Sequence, residues 1–387
     1  MAERALAHVE KIEWLRPIEG ADNIELIGVL GWVCIAKKGE FNVGDMAVYI
    51  EIDSKCPETD ERFAFLANKK FKVKTMKLGK FKVISQGLAL PLSLFPELQD
   101  RNIGDDVTEA LKITYASEED AARKTNKIDP NAKYKSMAKR RPKLFANPIV
   151  RRIMRYSIGR KIMFMLFGRK KDNPKKFPDW IVKTDETRIE NAPFYLQSTE
   201  KWIKTEKCDG TSCTFAVDRL KKGKNKFDFI VCSRNVRQAD REQACYHESN
   251  IYWELADKYD IEKILTQFAT ENDYNRVVLQ GEGVGSVQGN PYKFTENKLF
   301  VFNLIIDGIR LGTVEMADFC KSHGLTSVPI IDTAYELPKT MEEMKLEADG
   351  YSELNPKVKR EGFVYRDISG QKSFKNVSRE YLLKHGI

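Results

Sequence analysis

"TEKCDGTSCTF", Thr205 to Phe215, sets a lysine and an aspartate two residues apart and closes the pair with a glycine, inside a run of strand-like residues. Alone, K-x-D-G is a weak pattern, because four positions with one free recur by chance. Its weight comes from the ordered residues C-terminal to it. "QGEG" carries Glu282, "LFVFN" carries Phe300 and Phe302, "REGFVYR" carries Glu361, and "KSFK" carries Lys372 and Lys375.

Around this stretch the pattern is mixed. A strand holding "KWIKTEKCDG" is followed by paired strands "TSCTFAVD" and "KFDFIVCSRN" and by a helical segment, "NIYWELADKYDIEKILTQFA", with apolar residues at three- and four-residue spacing. Strands "RVVLQGEGVG" and "KLFVFNLIIDG", a helix near "TVEMADFCKSHG", strands "REGFVYRD" and "SFKNVS" and a terminal helix "SREYLLKHGI" complete an α+β domain over 181–387. Residues 1–112 read differently. Short β-branched or aromatic runs, punctuated by "GADN", "GEFNVGD" and "LGK", have the spacing of a small all-β barrel. Within it, alternation in "FKVKTMKLGKFKV" sets lysines, Lys72 and Lys74 among them, on one face and Phe71, Val73, Phe81 and Val83 on the other; this is either a nucleic-acid grip or an ordinary wet sheet face.

Between these domains, 113–180 is a polar and then basic, partly helical connector. From Lys133 to Lys176 there are 16 Lys and Arg against one acid, Asp172, while the rest of the chain holds 49 basic and 55 acidic residues. The excess positive charge, +9 overall, therefore sits in one stretch. Such a run can be a solvated face. The mixture of apolar and basic residues in "PIVRRIMRYSIGRKIMFMLFGRKK", with Arg151 and Arg152, also suits a polyanion such as nucleic acid, with an acidic membrane surface as the competing partner.

At 387 residues the chain has room for two domains with their own cores, and 42% hydrophobic content agrees. The longest apolar run, Ile162 to Phe167, is far short of the roughly 20 residues of a membrane span, and the amino terminus lacks a signal pattern. Seven cysteines without a CxxC pair argue against a disulfide framework or structural zinc, so an intracellular, reducing compartment is expected. "QGEGVGSVQGN" fails the dinucleotide fingerprint in spacing and context. The four histidines, His8, His247, His323 and His385, form no evident triad or metal cluster.

The ordered set of Lys207, Asp209, Glu282, Phe302, Glu361 and Lys375 resembles the covalent nucleotidyltransferase superfamily of ATP-dependent ligases and RNA capping enzymes. Domain order narrows the resemblance. Capping enzymes and most DNA ligases carry an OB barrel after the transferase domain, whereas here the β-rich segment comes first. That order, with "KTDETRI" before the lysine and "GNPYKF" after Glu282, is similar to the RNA ligases with an amino-terminal OB domain that seal nicks in duplexes. The fold this implies is an α+β multidomain chain: an OB-like barrel, the basic helical connector, and a carboxy-terminal nucleotidyltransferase domain with antiparallel sheets and flanking helices.

The chemistry asks for these residue types. A lysine attacking the α-phosphate of ATP must be neutral, yet free lysine titrates near ~10.4, so roughly 4 kcal/mol must be found to make it reactive near neutrality. Lys375 and a divalent cation, Mg2+ or Mn2+, held by Asp209, Glu282 and Glu361 can supply that bias. Taken singly, Lys207 can equally be a solvated lysine, Phe302 a core strand residue and Glu361 a surface salt-bridge partner. The resemblance further implies a nucleotide set of Glu206, Gly210, Ser212, Arg234, Phe302 as the stacking ring, and Lys372, although the usual last motif is lysine-x-lysine and here Lys372 lies three residues before Lys375. Arg188, Lys72, Lys74, Arg151 and Arg152 are the candidate contacts to RNA phosphate.

The implied activity is ATP-dependent ligation of a 3′-hydroxyl to a 5′-phosphate through lysyl-AMP and adenylated RNA, in RNA repair. Its partners are ATP, a nicked duplex containing RNA, and a kinase or phosphatase if one prepares the ends. The rivals are a capping-type guanylyltransferase, a DNA ligase, and a non-catalytic RNA-binding protein, since "EGADNIEL" and "GDMAVYI" are also similar to tRNA-binding OB modules.

Overall fold

The structure, a computed structural model, describes residues 5–116, 142–167, 175–221, 226–238 and 250–386. The chain packs as two compact units, each discontinuous in sequence: 1–123, 185–208 and 329–387 form one, and 124–184 with 209–328 form the other.

The first unit contains the OB barrel, matching the β-rich expectation for the amino-terminal segment. Its five-stranded sheet runs Trp32–Lys37, Ile24–Val29, Ala7–Pro17, Met46–Ile50, Leu88–Pro91, all antiparallel. The long Ala7–Pro17 strand pairs through its first half with Met46–Ile50 and through its second with Ile24–Val29, and the register shifts between Ile12 and Trp14. One strand serving two neighbours across a bulge is what curls a small sheet toward closure. Several strands are buried on both faces: Val9, Val48 and Ile50 belong to one hydrophobic cluster, and Ile27, Trp32, Ala47 and Tyr49 to another.

"KKFKVKTMKLGKFKVISQG" departs from expectation. Instead of a continuous strand with a lysine face, a 3-10 helix, Glu61–Lys69, ends in left-handed Lys70 and Phe71, and only the short strands Met76–Leu78 and Val83–Ser85 pair. Lys72 and Lys74 are consequently half-buried, and the Lys74 amine reaches the Gly386 carbonyl. Positive φ at Lys70 and Phe71 keeps a pleated strand from starting there, and the turn that reaches left-handed Lys82 divides the rest into two short strands.

The same unit holds a four-stranded sheet ordered Ile330–Tyr335, Trp202–Lys207, Gly362–Asp367, Ser373–Val377. The barrel packs directly against the elements around it. Val377, Tyr381 and Leu382 join the barrel core, the Gly31 N–H donates to the Glu190 carbonyl at 2.8 Å, and the Trp32 indole donates to Asn191 at 2.5 Å. A helix at Met341–Ala348, absent from the sequence reading, brings Lys345 into a buried ion pair with Glu190. Its signal was present in the chain, because Thr340 and Glu343 form a capping box.

A buried cluster in the barrel sets a pH dependence. His8 lies 2.8 Å from Glu10 and 3.6 Å from Glu51. Burial alone would lower its pKa, but hydrogen bonds to the two carboxylates outweigh this and push it up to about 9. The raised value lies above the unfolded one, so the stabilisation is complete below about 6.5 and is lost as pH rises through about 9. Urea unfolding is expected to show a fall on the order of 3 kcal/mol across that window. His8→Gln should flatten the profile; an unchanged slope in that variant would assign the dependence elsewhere.

The second unit is built on a seven-stranded antiparallel sheet whose centre is Phe227–Cys232, Thr211–Arg219, Arg276–Val284 and Lys298–Ile306. Helices cover one face, with Leu255, Ile261, Leu265, Met316 and Phe319 packed on Phe215, Val217, Val277 and Leu279. The single helical segment expected after Asn250 is two helices, Ile251–Lys258 and Ile261–Glu271, because Asp260 takes a left-handed conformation that aspartate tolerates. The Asp307-Gly308 pair, both at positive φ, turns the chain from Lys298–Ile306 into Ile309–Arg310. No helix among the described residues is long and apolar enough to cross a membrane. The six described cysteines are free and buried. Parts of the basic connector, 133–141 and 168–174, lie outside the described residues.

Candidate active site

In the first unit, Lys207 ends the Trp202–Lys207 strand opposite Gly362 of the neighbouring strand. Its amine lies 2.7 Å from Glu361 Oε1, with about a quarter of the side chain exposed. Gly362 makes this pairing practicable. Its φ is +152°, and a Cβ there would stand 2.1 Å from the Asn376 carbonyl oxygen. Glycine tolerates both the conformation and the approach that bring Glu361 to the strand end.

Lys375 sits on the next strand and is 8% exposed. "KTDETRIE", read from sequence only as a polar stretch with a candidate arginine, runs alongside that strand. The Lys375 N–H donates to the Thr187 carbonyl at 2.8 Å, and the Lys375 amine pairs with Asp185 at 2.6 Å. Glu186 accepts from Arg366 at 3.1 Å and from Ser373. Each of the two lysines is thus held by a carboxylate. Asp185 was missed as a site residue, and the only sequence signal was its place beside Arg188 in a motif already singled out.

In the second unit, Asp209, Gly210 and Ser212 open the Thr211–Arg219 strand. The Asp209 N–H donates to the Tyr292 hydroxyl at 2.7 Å, which gives the "GNPYKF" stretch a positioning task. Gly210 is required sterically, since a Cβ would lie 2.4 Å from the Gly283 carbonyl oxygen. Ser212, Glu282 and Phe300 stand in one cross-strand row, so their side chains share a face of the sheet. The Ser212 hydroxyl also hydrogen-bonds Thr184 at 2.9 Å. Phe302 lies at a β-bulge: Gln280 faces Asn303, whereas Gly281 faces Val301. Bulges re-aim side chains, and the Phe302 ring is only half-buried in an otherwise buried strand. Arg234 is exposed in the turn after Phe227–Cys232.

Other candidates take different places. Glu206, adjacent to Lys207 and therefore on the opposite strand face, is 1% exposed and accepts from the Glu353 N–H at 2.7 Å. Burial pushes its carboxyl above the usual range, against hydrogen bonds from Ser352 and Glu353 that lower it. Its Oε1 has no hydrogen-bond partner among the described residues. Lys372 is half-exposed at the turn before its strand, paired with Glu200 at 2.8 Å, and that hydrogen bond raises its pKa. Arg188, expected at phosphate, is buried and donates to Asp53 of the barrel at 3.1 Å. Arg151 and Arg152 are exposed on the helix Pro148–Met154. Among the described residues no three His, Cys, Asp or Glu side chains converge as a ready-made metal cage.

The chain as a whole is similar to known proteins. A model of the RNA ligase family matches residues 200–382, and an OB-fold domain model matches 6–92. No curated protein matches the chain. The solved structure of Naegleria gruberi RNA ligase with PPi superposes with a TM-score of 0.75 at 31% identity, over 99% of this chain and 99% of that one. A variant of the Naegleria gruberi enzyme with AMP and Mn gives 0.75 and 30% over 99% of each chain. Another, with ATP and Mn, gives 0.74 and 29% over 98% of this chain and 99% of that one. Full-length similarity at that identity, on a barrel followed by the lysine-bearing sheets, means that this chain belongs to the RNA ligase family.

Proposed function

We propose that the protein joins RNA ends with ATP through a lysyl-AMP on Lys207, and that Asp209, Glu282, Phe302, Glu361 and Lys375 serve that chemistry. The observation that carries the reading is the Lys207–Glu361 pair, a partly exposed amine 2.7 Å from a carboxylate at a strand end. Before attack the ammonium must lose its proton, and Glu361 stands within hydrogen-bond reach to receive it. Lys207 Nζ then bonds to the α-phosphorus as the bond to pyrophosphate breaks. AMP passes from Lys207 to a 5′-phosphate end, and a 3′-hydroxyl displaces it to form the phosphodiester.

Positioning and electrostatics do most of the work in such phosphoryl transfers. Lys375, released from Asp185 as the triphosphate enters, would balance its charge. The oxygen donors Asp209, Glu282 and Glu361 suit a hard divalent cation such as Mg2+ or Mn2+, which when bound adds positive charge at the phosphates. Phe302 offers a ring face for stacking, Gly210 and Ser212 a backbone that can approach phosphate, and Arg234 an exposed cation. Lys372, held by Glu200 at the surface, is left out of the set.

Structures of the similar Naegleria gruberi RNA ligase hold ATP or AMP, which supports ATP rather than GTP as the nucleotide and a ligase rather than a capping-type guanylyltransferase. A nicked duplex with ribose at the 3′-hydroxyl side is the proposed substrate, and the barrel the duplex grip. Ends of that kind require prior kinase or phosphatase chemistry wherever cleavage leaves other termini. The buried free thiols fit an intracellular, reducing compartment.

The test is incubation with α-labelled ATP or GTP and Mg2+, followed by nicked duplexes with RNA or DNA at the 3′ side. Acid-stable label from ATP on the "TEKCDGTS" peptide, and sealing that requires ribose, are expected. Label from GTP alone, or an adduct away from Lys207, would overturn the reading.

A further inference from the structure

Residues 142–167 carry a feature that end-joining does not use. The helices Pro148–Met154 and Ser157–Phe167 contribute to none of the five hydrophobic clusters of the described residues. On the second helix Ile158, Ile162, Met165 and Leu166 are 71%, 47%, 77% and 62% exposed. They stand at i, i+4, i+7 and i+8, which places all four on one helix face. The first helix repeats the arrangement in miniature, with Ile149 and Ile153 exposed one turn apart. Basic residues fill the surroundings: Arg151, Arg152, Arg155, Arg160 and Lys161 lie in 142–167, which contains no acidic residue. Met163 is buried, and the Arg160 guanidinium donates to the Met154 carbonyl at 3.3 Å, linking the helices.

We propose that this helical pair is a peripheral anchor that lies in the headgroup region of an anionic bilayer. A nucleic acid would use the cations and leave the apolar stripe in water. An anionic lipid surface uses both, because aliphatic side chains enter the acyl boundary while arginine and lysine pair with headgroup charge. Neither helix can span, since the longer has 11 residues. The anchor therefore lies on the membrane rather than crossing it.

The test is flotation of the full chain with phosphatidylcholine vesicles, with and without about one-third phosphatidylserine, in about 0.1 M salt. Binding to the anionic vesicles alone is expected, weakening as salt rises. Ile162→Glu with Met165→Glu should abolish it without shifting the melting temperature, since both side chains are exposed. Arg151→Gln, Arg152→Gln and Arg155→Gln together should weaken it on the order of a hundredfold. The proposal is overturned if the unaltered chain ignores anionic vesicles or if the double glutamate variant still floats. It is equally overturned if the triple glutamine variant loses nicked-duplex binding while vesicles are never bound, which makes the surface an RNA grip. A dimer split by the glutamates, without vesicle binding, would assign the stripe to a second copy.

Discussion

Lys207→Met is expected to accept no detectable AMP from ATP, with the rate of labelling down by at least about three orders of magnitude. No other described lysine combines its features. Lys204, on the same strand, is buried and paired with Glu347, and Lys375 is buried and paired with Asp185. Methionine keeps most of the unbranched stem but has no lone pair on nitrogen to attack phosphorus. Lys207 is about a quarter exposed and Glu361 mostly buried, so losing the pair should lower folding stability on the order of 1–3 kcal/mol without unfolding the protein. Circular dichroism and urea unfolding check the fold while labelled ATP checks the chemistry. A second readout comes from supplying RNA already adenylated at its 5′ end. The proposed route predicts that the variant retains much more of this last step than of the first, since Lys207 then forms no bond. Labelling of the Lys207→Met chain at the unaltered rate would remove Lys207 from the mechanism.

Glu361→Gln should slow AMP transfer by about a hundredfold to a thousandfold at saturating ATP, again in a folded protein. The amide keeps the size and can still accept a hydrogen bond from Lys207, but it cannot hold a full charge, take the proton, or serve as an anionic metal donor. The two duties separate experimentally. If metal holding dominates, raising Mn2+ restores part of the rate. If proton acceptance dominates, the rate rises with pH instead, as more of the amine becomes neutral without help. The carboxylate is mostly buried beside a glycine that the backbone requires, so Gly362→Ala provides the contrasting result: loss of folding stability rather than selective loss of chemistry. A Glu361→Gln protein as active as the parent would return Glu361 to an ordinary salt-bridge partner.

Much of this arrangement is local and was legible in the chain. Barrel strands such as Ile24–Val29 and Trp32–Lys37 lie in β-branched and aromatic runs between turn residues, because φ/ψ preference acts over a few residues. The strands carrying Lys207, Glu282, Glu361 and Lys375 were legible for the same reason. The lysine-rich run after Lys69 misled, since its alternation was genuine while left-handed Lys70, Phe71 and Lys82 left only two short strands. The break between the two helices at Asp260 escaped in the same way, because aspartate at a left-handed position leaves no periodic trace.

The sequence by itself determined the residue types, their order and the strands that bear them, and with them the family. Tertiary structure alone decided which of those residues meet. That Glu361 reaches Lys207 depends on the register of two strands joined only through a long excursion of the chain. That Lys375 is held by Asp185 depends on a parallel strap laid along its strand, and that Phe302 is turned at a bulge depends on a one-residue slip against Gly281. The same holds for Arg188, whose charge is spent on the barrel at Asp53. Local preferences cannot encode these outcomes, because register and pairing between distant segments are set by backbone hydrogen bonds and burial that exist only once the sheets have closed.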